Sequence, residues 1–235
     1  MNGAASRGSE ESEFRRLFTE RTDSYVRFIR SVGYPLAIRA YFAHCPFLRS
    51  GLRILDAGCG TGVVSLGIRR AMLARGFTAG GIDAFDLTPA MLDRFRQALE
   101  TRGIADVRLA EANVLELDGL PATWDRYDLV VSASMLEYVP RESLPAALGG
   151  LRARLHETGA MVLFITKRNW LMKPLIGRWW RSNLYTRSEL QAAFQQAGFS
   201  RISFRHFPLL YRTFDIWGHI VEAQQSSFAG DAPRT

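Results

Sequence analysis

The apolar residues of this chain recur at two spacings, one typical of helices and one typical of buried strands. Near the start they lie three, four and seven positions apart opposite a row of arginines, which predicts an amphipathic helix that ends near Gly33. Its apolar positions are Phe14, Leu17, Phe18, Tyr25, Ile29 and Val32. The stretch YPLAIRAYFAHC then predicts a short second helix with Pro35 in its first turn. Residues 1–13 are small, polar and acidic, and they predict a flexible tail.

Farther along, short apolar runs alternate with helical patterns. The runs are LRILDAG, FTAGGIDAFD, DVRLAEANV, YDLVVSAS and GAMVLFIT. The helical patterns are VVSLGIRRAMLARG, TPAMLDRFRQALETRG and RESLPAALGGLRARLH, the second of them with Thr88 as N-cap and Pro89 as its first residue. This alternation predicts a parallel sheet that is covered by helices on both faces and joined by right-handed crossovers.

The pattern changes after the fifth strand. The stretch KRNWLMKPLIGRWWRSNLY is aromatic and basic, and its proline and glycine predict an inserted loop or lid over residues 167–185. A helix with a capping box formed by Thr186 and Glu189 follows. SRISFRHFPLL and FDIWGHIVEAQ predict two antiparallel strands at the edge of the sheet. We therefore expect one domain over residues 14–235.

Composition narrows the function classes. The net charge of +7 comes from basic residues spread along the chain, which favours an arginine-rich surface over one nucleic-acid patch. Cys45 and Cys59 are too far apart for a zinc motif, so we expect no metal. The N-terminus has no apolar signal-peptide core, and no run approaches the roughly 18 apolar residues of a membrane span. We expect a cytoplasmic protein.

The first apolar run leads into a glycine-rich turn, within ILDAGCGTGVVSLGIRR. The spacing from Asp56 through Gly58 and Gly60 to Gly62 lets backbone N–H groups approach a ligand where a Cβ would collide. Asp86 ends the next strand, where a carboxylate can accept from both hydroxyls of a ribose. This spacing differs from the dinucleotide pattern, and an aspartate there would repel a pyrophosphate. A tight turn without a ligand remains the alternative.

The combination of LDAGCGTG, DLTPAML and YDLVVSASMLEYV resembles the class I S-adenosylmethionine-dependent methyltransferases, over roughly residues 50–205. The resemblance implies a Rossmann-like, doubly wound α/β fold, with a mostly parallel seven-stranded sheet, an antiparallel C-terminal edge strand and an N-terminal helical lid. It also implies S-adenosylmethionine as cofactor. The cofactor contacts that it implies are Asp56, Gly58, Gly60, Gly62, Asp86, Leu87, Asn113, Val114 and Ser132.

Each of these contacts has an implied role. In this family the first acidic residue, here Asp56, helps to hold the amino group of the methionine part. Asp86 would hold the ribose hydroxyls, in preference to the nearby Asp83, and Asn113 with Val114 would contact the adenine. The family commonly has an aspartate where this chain has Asn113, but an asparagine carbonyl can also accept from the adenine amino group.

Catalytic candidates follow the fourth strand, at the edge where ligands of such sheets bind. They are Glu137 and Tyr138, at a place where family members often carry a Glu-His pair. A role as an acceptor contact or base stands beside the alternative that both residues only pack. His44, His206 and His219 are more typical of packed or surface histidines than of bases.

The acceptor is predicted from the aromatic residues. Residues 14–46 and the insert 167–185 would close over it, as N-terminal helices and this insert do in the methyltransferases that the chain resembles. The candidate acceptor residues are Tyr25, Trp170, Trp179, Trp180 and Tyr185, with Phe14, Phe18 and Phe42 nearby and Arg178 and Arg181 at the rim. We expect a small, apolar or aromatic acceptor that can carry a negative group and is methylated on oxygen or nitrogen. The alternative is that these aromatic residues are ordinary core.

Other acceptors and partners remain open. A lipid or membrane-associated acceptor is the second possibility, because a basic, tryptophan-rich segment can lie on a membrane surface. A nucleic acid is disfavoured, since SASM stands where base methyltransferases carry a proline-proline-aromatic turn. A catalytically silent binding module with the same fold is a further alternative. The sequence does not predict the oligomeric state.

Overall fold

One sheet organises the part of the chain that the computed structural model describes, residues 31–78, 80–172 and 182–225. Its strands are β1 (Ile54–Ala57), β2 (Ile82–Asp86), β3 (Val107–Glu111), β4 (Tyr127–Ala133), β5 (Leu155–Thr166), β6 (Arg201–Arg205) and β7 (Gly218–Gln224). Their order is β3-β2-β1-β4-β5-β7-β6. Strands β1 to β5 are mutually parallel, and β7 is antiparallel to both β5 and β6. The predicted doubly wound sheet is confirmed, with the antiparallel strand lying between β5 and the edge strand β6.

Helices cover both faces of this sheet. They are α1 (Tyr34–Ala43), α2 (Val63–Ala74), α3 (Pro89–Glu100), α4 (Leu144–Ala153) and α5 (Arg187–Gln196). The side chains of α1 and α2 share one buried cluster with Ile54 and Leu129, and α3 packs beside them on Ala84. The side chains of α4 and α5 share a second buried cluster with Leu55 and Val130. Because neighbouring strand residues point to opposite faces, the two clusters lie on opposite sides of the sheet.

The predicted helix starts are confirmed. Thr88 is the N-cap of α3 and Pro89 is its first residue. At the start of α5 the Thr186 hydroxyl accepts from the Glu189 N–H at 3.3 Å, and the Glu189 carboxylate accepts from the Thr186 N–H at 2.7 Å. Both donors would otherwise lack a helical partner, which is why this pair fixes the first turn.

Two element boundaries differ from the sequence prediction. The helix predicted over RESLPAALGGLRARLH ends at Ala153, and β5 begins at Leu155, because Leu155 pairs with Tyr127 before an irregularity in the ladder. The last two strands are not joined directly, since the 3₁₀ helix Leu209–Ile216 follows Pro208. The first difference comes from strand pairing and the second from a proline, and the apolar pattern predicts neither.

The described part of the predicted lid, residues 31–46, packs as core. Ala37, Ile38 and Phe42 of α1 are fully buried, and the Phe42 ring lies 5.9 Å from Phe164 of β5. The expectation that Phe42 lines an acceptor pocket is therefore wrong, because a helix packed on a sheet face has the same spacing as a lid helix. Most of the first predicted helix lies outside the described residues.

Candidate functional site

The glycine-rich turn after β1 is held by the end of β2. The N–H groups of Gly58 and Cys59 both donate to the carbonyl oxygen of Phe85, at 2.8 and 2.9 Å. The Gly60 N–H donates to one oxygen of the Asp86 carboxylate at 2.8 Å, and the Thr88 N–H donates to the other at 2.9 Å. Asp86 therefore fixes both the turn and the start of α3, with its carboxylate at the carboxyl edge of the sheet.

Gly60 leaves open space beside this carboxylate. Its φ is +51°, in the left-handed region that favours glycine, and no atom among the described residues lies within 4 Å of a Cβ built there. A Cβ at Gly58 would instead overlap the Met135 side chain, which covers that glycine. The open space over Gly60 is a cradle that a ligand can enter against bare backbone.

Asp56 lies below the turn with one oxygen partnered and one not. Its Oδ2 accepts from the Ser65 hydroxyl at 2.6 Å and from the Ser65 N–H at 3.1 Å. Its Oδ1 is buried and has no hydrogen-bond partner in the described part of the chain. Burial raises the pKa of this carboxyl to about 7, against the opposing hydrogen bonds from Ser65. A buried acceptor without a donor is costly, so the arrangement suits a cationic donor.

A cleft of about 190 Å³ opens beside the turn. Its lining is mainly apolar and includes Gly58, Phe85, Leu87, Ala112, Asn113, Val114, Met135, Tyr138, Val139 and Pro140. The Asn113 Oδ1 accepts from the Leu115 N–H at 3.0 Å. A narrow apolar cleft with one amide at its edge fits a flat heteroaromatic ring.

The structure brings most of the predicted cofactor residues together. Leu87, Asn113, Val114 and Gly58 line the cleft, and Gly60 and Asp86 lie bonded at its side. Gly62, with φ +82°, starts α2, and a Cβ there would overlap the Phe95 ring. Ser132 lies on β4 beside Ala57, buried, and its hydroxyl has no partner within the described ranges.

Asp83 has a structural role instead. Its carboxylate accepts from the Arg108 guanidinium at 2.6 and 2.7 Å and from the Tyr127 hydroxyl at 2.7 Å. Asp83 is buried and belongs to this network. The partners lie far apart in sequence, which is why the chain pattern alone could not reveal the network.

Glu137 and Tyr138 point to different places. Both lie on the 3₁₀ helix Leu136–Tyr138, but Tyr138 lines the cleft. The Glu137 carboxylate is buried on the other side, where it accepts from the Thr166 N–H at 2.8 Å. Burial raises the pKa of Glu137 to about 7, against hydrogen bonds from Thr166. Glu137 is thus poised to gain or lose a proton near neutral pH.

The sequence analysis missed two hydroxyl groups in this region, those of Tyr34 and Ser134. The Tyr34 hydroxyl lies 3.3 Å from the Ser134 hydroxyl, and the Glu137 charge contributes to a raised pKa of Tyr34 after the larger effect of burial. Ser134 has φ +53°, an uncommon conformation for serine that occurs often at functional sites. In the sequence, only its position directly after β4 could have indicated Ser134. No feature of the sequence pointed to Tyr34.

The described candidate acceptor residues are not brought together. Trp170 is 84% exposed, whereas Tyr185 is buried in the core with Arg141 stacked 4.5 Å from its ring centre. The Tyr185 hydroxyl is buried, without a partner among the residues described. Tyr25, Trp179 and Trp180, like Arg178 and Arg181, lie outside the described residues.

Among the described residues we find neither a cluster that could hold a metal ion nor a helix that could span a membrane. No three His, Cys, Asp or Glu side chains there come close enough to hold a metal ion. No helix there is both long and apolar enough to cross a membrane.

The sheet order, the glycine turn and the acidic end of β2 describe a doubly wound α/β domain, and comparison with known proteins shows what it is similar to. Residues 54–159 match the family model described as "Methyltransferase domain". Over this segment the chain is similar to the class I S-adenosylmethionine-dependent methyltransferases.

Two relatives illustrate the range of these proteins. Over 136 residues the chain is 30% identical to a carboxy-S-adenosyl-L-methionine synthase of Stutzerimonas stutzeri. This alignment covers 57% of this chain and 54% of that protein. Over 117 residues it is 36% identical to a ubiquinone biosynthesis O-methyltransferase of Paracidovorax citrulli. That alignment covers 49% of this chain and 44% of the relative. The match thus spans about half of each relative or less.

A solved structure shows the same fold. The magnesium protoporphyrin IX methyltransferase of Synechocystis, solved with bound S-adenosylhomocysteine, is similar with a TM-score of 0.65 at 17% identity, over 92% of this chain and 100% of that one.

Proposed function

We propose that this protein binds S-adenosylmethionine at the carboxyl edge of β1, β2 and β4 and transfers its methyl group to a small acceptor. The observation that carries the proposal is the Asp86 carboxylate bonded to Gly60, beside open backbone and an apolar cleft. The match to the methyltransferase family model and relatives named as methyltransferases support it.

The residues present fit the cofactor part by part. The cleft lined by Leu87, Val114 and Met135 suits the adenine, with the Asn113 carbonyl at its amino edge. The Asp86 carboxylate, which the Gly60 and Thr88 N–H groups hold at the edge of the sheet, suits the ribose hydroxyls. The unpartnered oxygen of Asp56 suits the methionine ammonium group, directly or through a water.

The bound cofactor would supply a methyl group on a positively charged sulfur. The contribution of the protein is then to align the acceptor in line, exclude water and take up a proton where the acceptor must lose one. We assign that proton to Glu137, which is buried near the edge and has a pKa of about 7. Tyr138 belongs with the cofactor cleft.

An oxygen or nitrogen on a small, apolar or aromatic molecule is the acceptor that we favour. Two relatives are named as O-methyltransferases, one of ubiquinone biosynthesis and one that acts on a malonyl-acyl carrier protein, the latter from Halorhodospira halophila. A hydroxyl acceptor must release a proton from the reacting oxygen, which Glu137 could take up, whereas a carboxylate acceptor is already ionised and needs no base.

Thermal unfolding tests the proposal. S-adenosylmethionine and S-adenosylhomocysteine should each raise the melting temperature, because a ligand at 100 times its Kd adds about 2.7 kcal/mol. Asp86→Ala should lose most of that shift. Asp93→Ala, which removes an exposed carboxylate paired with Arg96, is the matched control and should keep it. Absence of a shift in the wild type at millimolar cofactor would refute the proposal.

A further inference from the structure

A second pocket lies at the same edge of the sheet, at the ends of β5, β6 and β7. Its volume is about 250 Å³. The residues that line it are Lys167, Arg168, Thr186, Arg187, Phe204, Arg205, His206, Asp215, Gly218 and His219. Neither the cofactor contacts nor Glu137 belong to this lining.

The charges around the pocket do not balance. Arg168 pairs with Glu189 at 3.0 Å, Arg205 with Glu222 at 2.8 Å, and Arg212 with Asp215 at 3.0 Å; the His206 Nδ1 lies 2.8 Å from Asp215 as well. Lys167 and Arg187 have no carboxylate partner in the part of the chain that the structure describes. Two cations without counter-charges converge on the pocket and leave it positively charged.

His219 lines the same pocket and feels the charge of both cations. Its Nε2 donates to the Tyr185 carbonyl oxygen at 3.3 Å, and its ring meets Phe204 edge-on at 5.8 Å. Arg187 lies over the same Phe204 ring, 4.5 Å from its centre. Burial, then Lys167 and Arg187, lower the pKa of His219, while the Tyr185 carbonyl opposes them. An anion near these groups would remove the repulsion that the cations impose.

The strand order sets the span between the two sites. The carboxyl end of β4 lies beside Ser134 and Glu137, and β5 separates it from the start of β7 at Gly218. Neighbouring strands lie about 4.8 Å apart, so β7 starts about 10 Å from the end of β4.

We propose that this pocket binds an oxyanion of the methyl acceptor, a phosphate or a carboxylate, through Lys167 and Arg187. The assignment rests on the proposed methyltransferase function and narrows its acceptor to anionic molecules. With its anionic end held there, the other end of the acceptor would be oriented toward the cofactor.

Titration of the full chain with inorganic phosphate, followed by the imidazole NMR signals of His219, tests the assignment. Potassium chloride holds the ionic strength constant, and His219→Gln identifies the signals. Phosphate should give a saturable shift and raise the pKa of His219, because a bound anion favours the imidazolium. The other charged groups around the pocket are Lys167, Arg187, Arg168, Arg205, His206 and Asp215, so the histidine signals are followed together. A parallel titration with acetate separates a phosphate site from a carboxylate site.

Variants locate the site. Lys167→Ala and Arg187→Ala should each weaken binding of the preferred anion roughly tenfold. Arg201→Ala removes the same charge from the other end of β6 and should leave binding unchanged. Lack of saturation with both anions, or equal weakening by Arg201→Ala, would overturn the proposal.

The two proposals fail separately. Asp86→Ala should still bind the anion, and Lys167→Ala should still show the thermal shift with S-adenosylmethionine. Anion binding that disappears in Asp86→Ala would place the anion in the cofactor cleft and refute the second pocket, whatever the cofactor does.

Discussion

At the scale of single residues, the candidate cofactor site depends on backbone geometry at one glycine. The sequence predicted that Gly60 approaches a ligand, and the structure gives the reason, a left-handed φ with open space where a Cβ would stand. The sequence could not tell which glycine faces the ligand. The Met135 side chain covers Gly58, and the Phe95 ring packs against Gly62. Both covering residues lie far from the glycines in the sequence.

Gly60→Ala should therefore abolish the thermal shift with S-adenosylmethionine while the protein stays folded. The added Cβ enters the cradle, and the left-handed backbone costs about 1–2 kcal/mol. Gly103→Ala is the matched control, since Gly103 also has a left-handed φ, +62°, and open space around its Cβ. Both variants should lose similar stability, and only Gly60→Ala should lose the shift. Equal cofactor shifts in the two would contradict the cradle.

Asp56 gives a second prediction at this scale. Its pKa of about 7 means that the carboxylate charge is lost as the pH falls through neutrality. If Asp56 holds the methionine ammonium group, the affinity for S-adenosylmethionine should fall by up to about tenfold for each pH unit below the pKa. In Asp56→Asn the affinity should be weaker and nearly independent of pH between 6 and 8. Calorimetric titrations measure this, and a slope that persists in the variant would assign it elsewhere.

At the scale of elements, Glu137 joins the segment after β4 to the segment after β5. Its carboxylate accepts from Thr166, and its backbone carbonyl accepts from the Asn183 N–H at 2.7 Å. The Asn183 side chain donates in turn to the Val139 carbonyl oxygen at 2.9 Å. Glu137 thus has a structural role besides the proton transfer that we propose for it, and a conservative substitution can separate the two.

Glu137→Gln should keep the fold and cofactor binding but lower the transfer rate about 100-fold or more with an acceptor that must lose a proton. The amide oxygen can still accept from Thr166, whereas an amide cannot take up a proton. Glu142→Gln changes an exposed carboxylate close in sequence and should leave the rate unchanged. Single-turnover rates measure the effect, and a rate within a few-fold of wild type would leave Glu137 as a purely structural residue.

The strands and helices were predictable where one rule governed them. Periodicity located β1 to β5 and the helices between them, and local capping located the start of α5. The pattern did not predict whether α1 is a lid or core, because both uses bury one face of a helix. The orientations of Glu137 and Tyr138 were equally inaccessible, since neighbours on a tight 3₁₀ helix point to different surroundings.

At the scale of the whole molecule, buried carboxyl groups govern the response to pH. Burial raises the pKa of Asp56 and of Glu137 to about 7, and it raises the pKa of Asp86 as well. Between the unfolded pKa near 4 and the folded pKa, the native state holds more protons than the unfolded state. Stability therefore falls as the pH rises through this window. His219 acts in the opposite direction below pH 6.5, because its pKa is lowered.

The three carboxyl groups outnumber the histidine, so the free energy of unfolding should decrease by several kcal/mol from pH 5 to pH 7.5. Urea unfolding at a series of pH values measures it. Asp56→Asn should be less sensitive to pH, because it removes one buried group that ionises near pH 7. Asp93→Asn, at an exposed ion pair, should follow the wild type. Saturating S-adenosylmethionine should reduce the decrease in wild type, since an ammonium group next to Asp56 favours its carboxylate. Stability that increases from pH 5 to pH 7.5 in the wild type would show that these carboxyl groups are ionised throughout and already partnered.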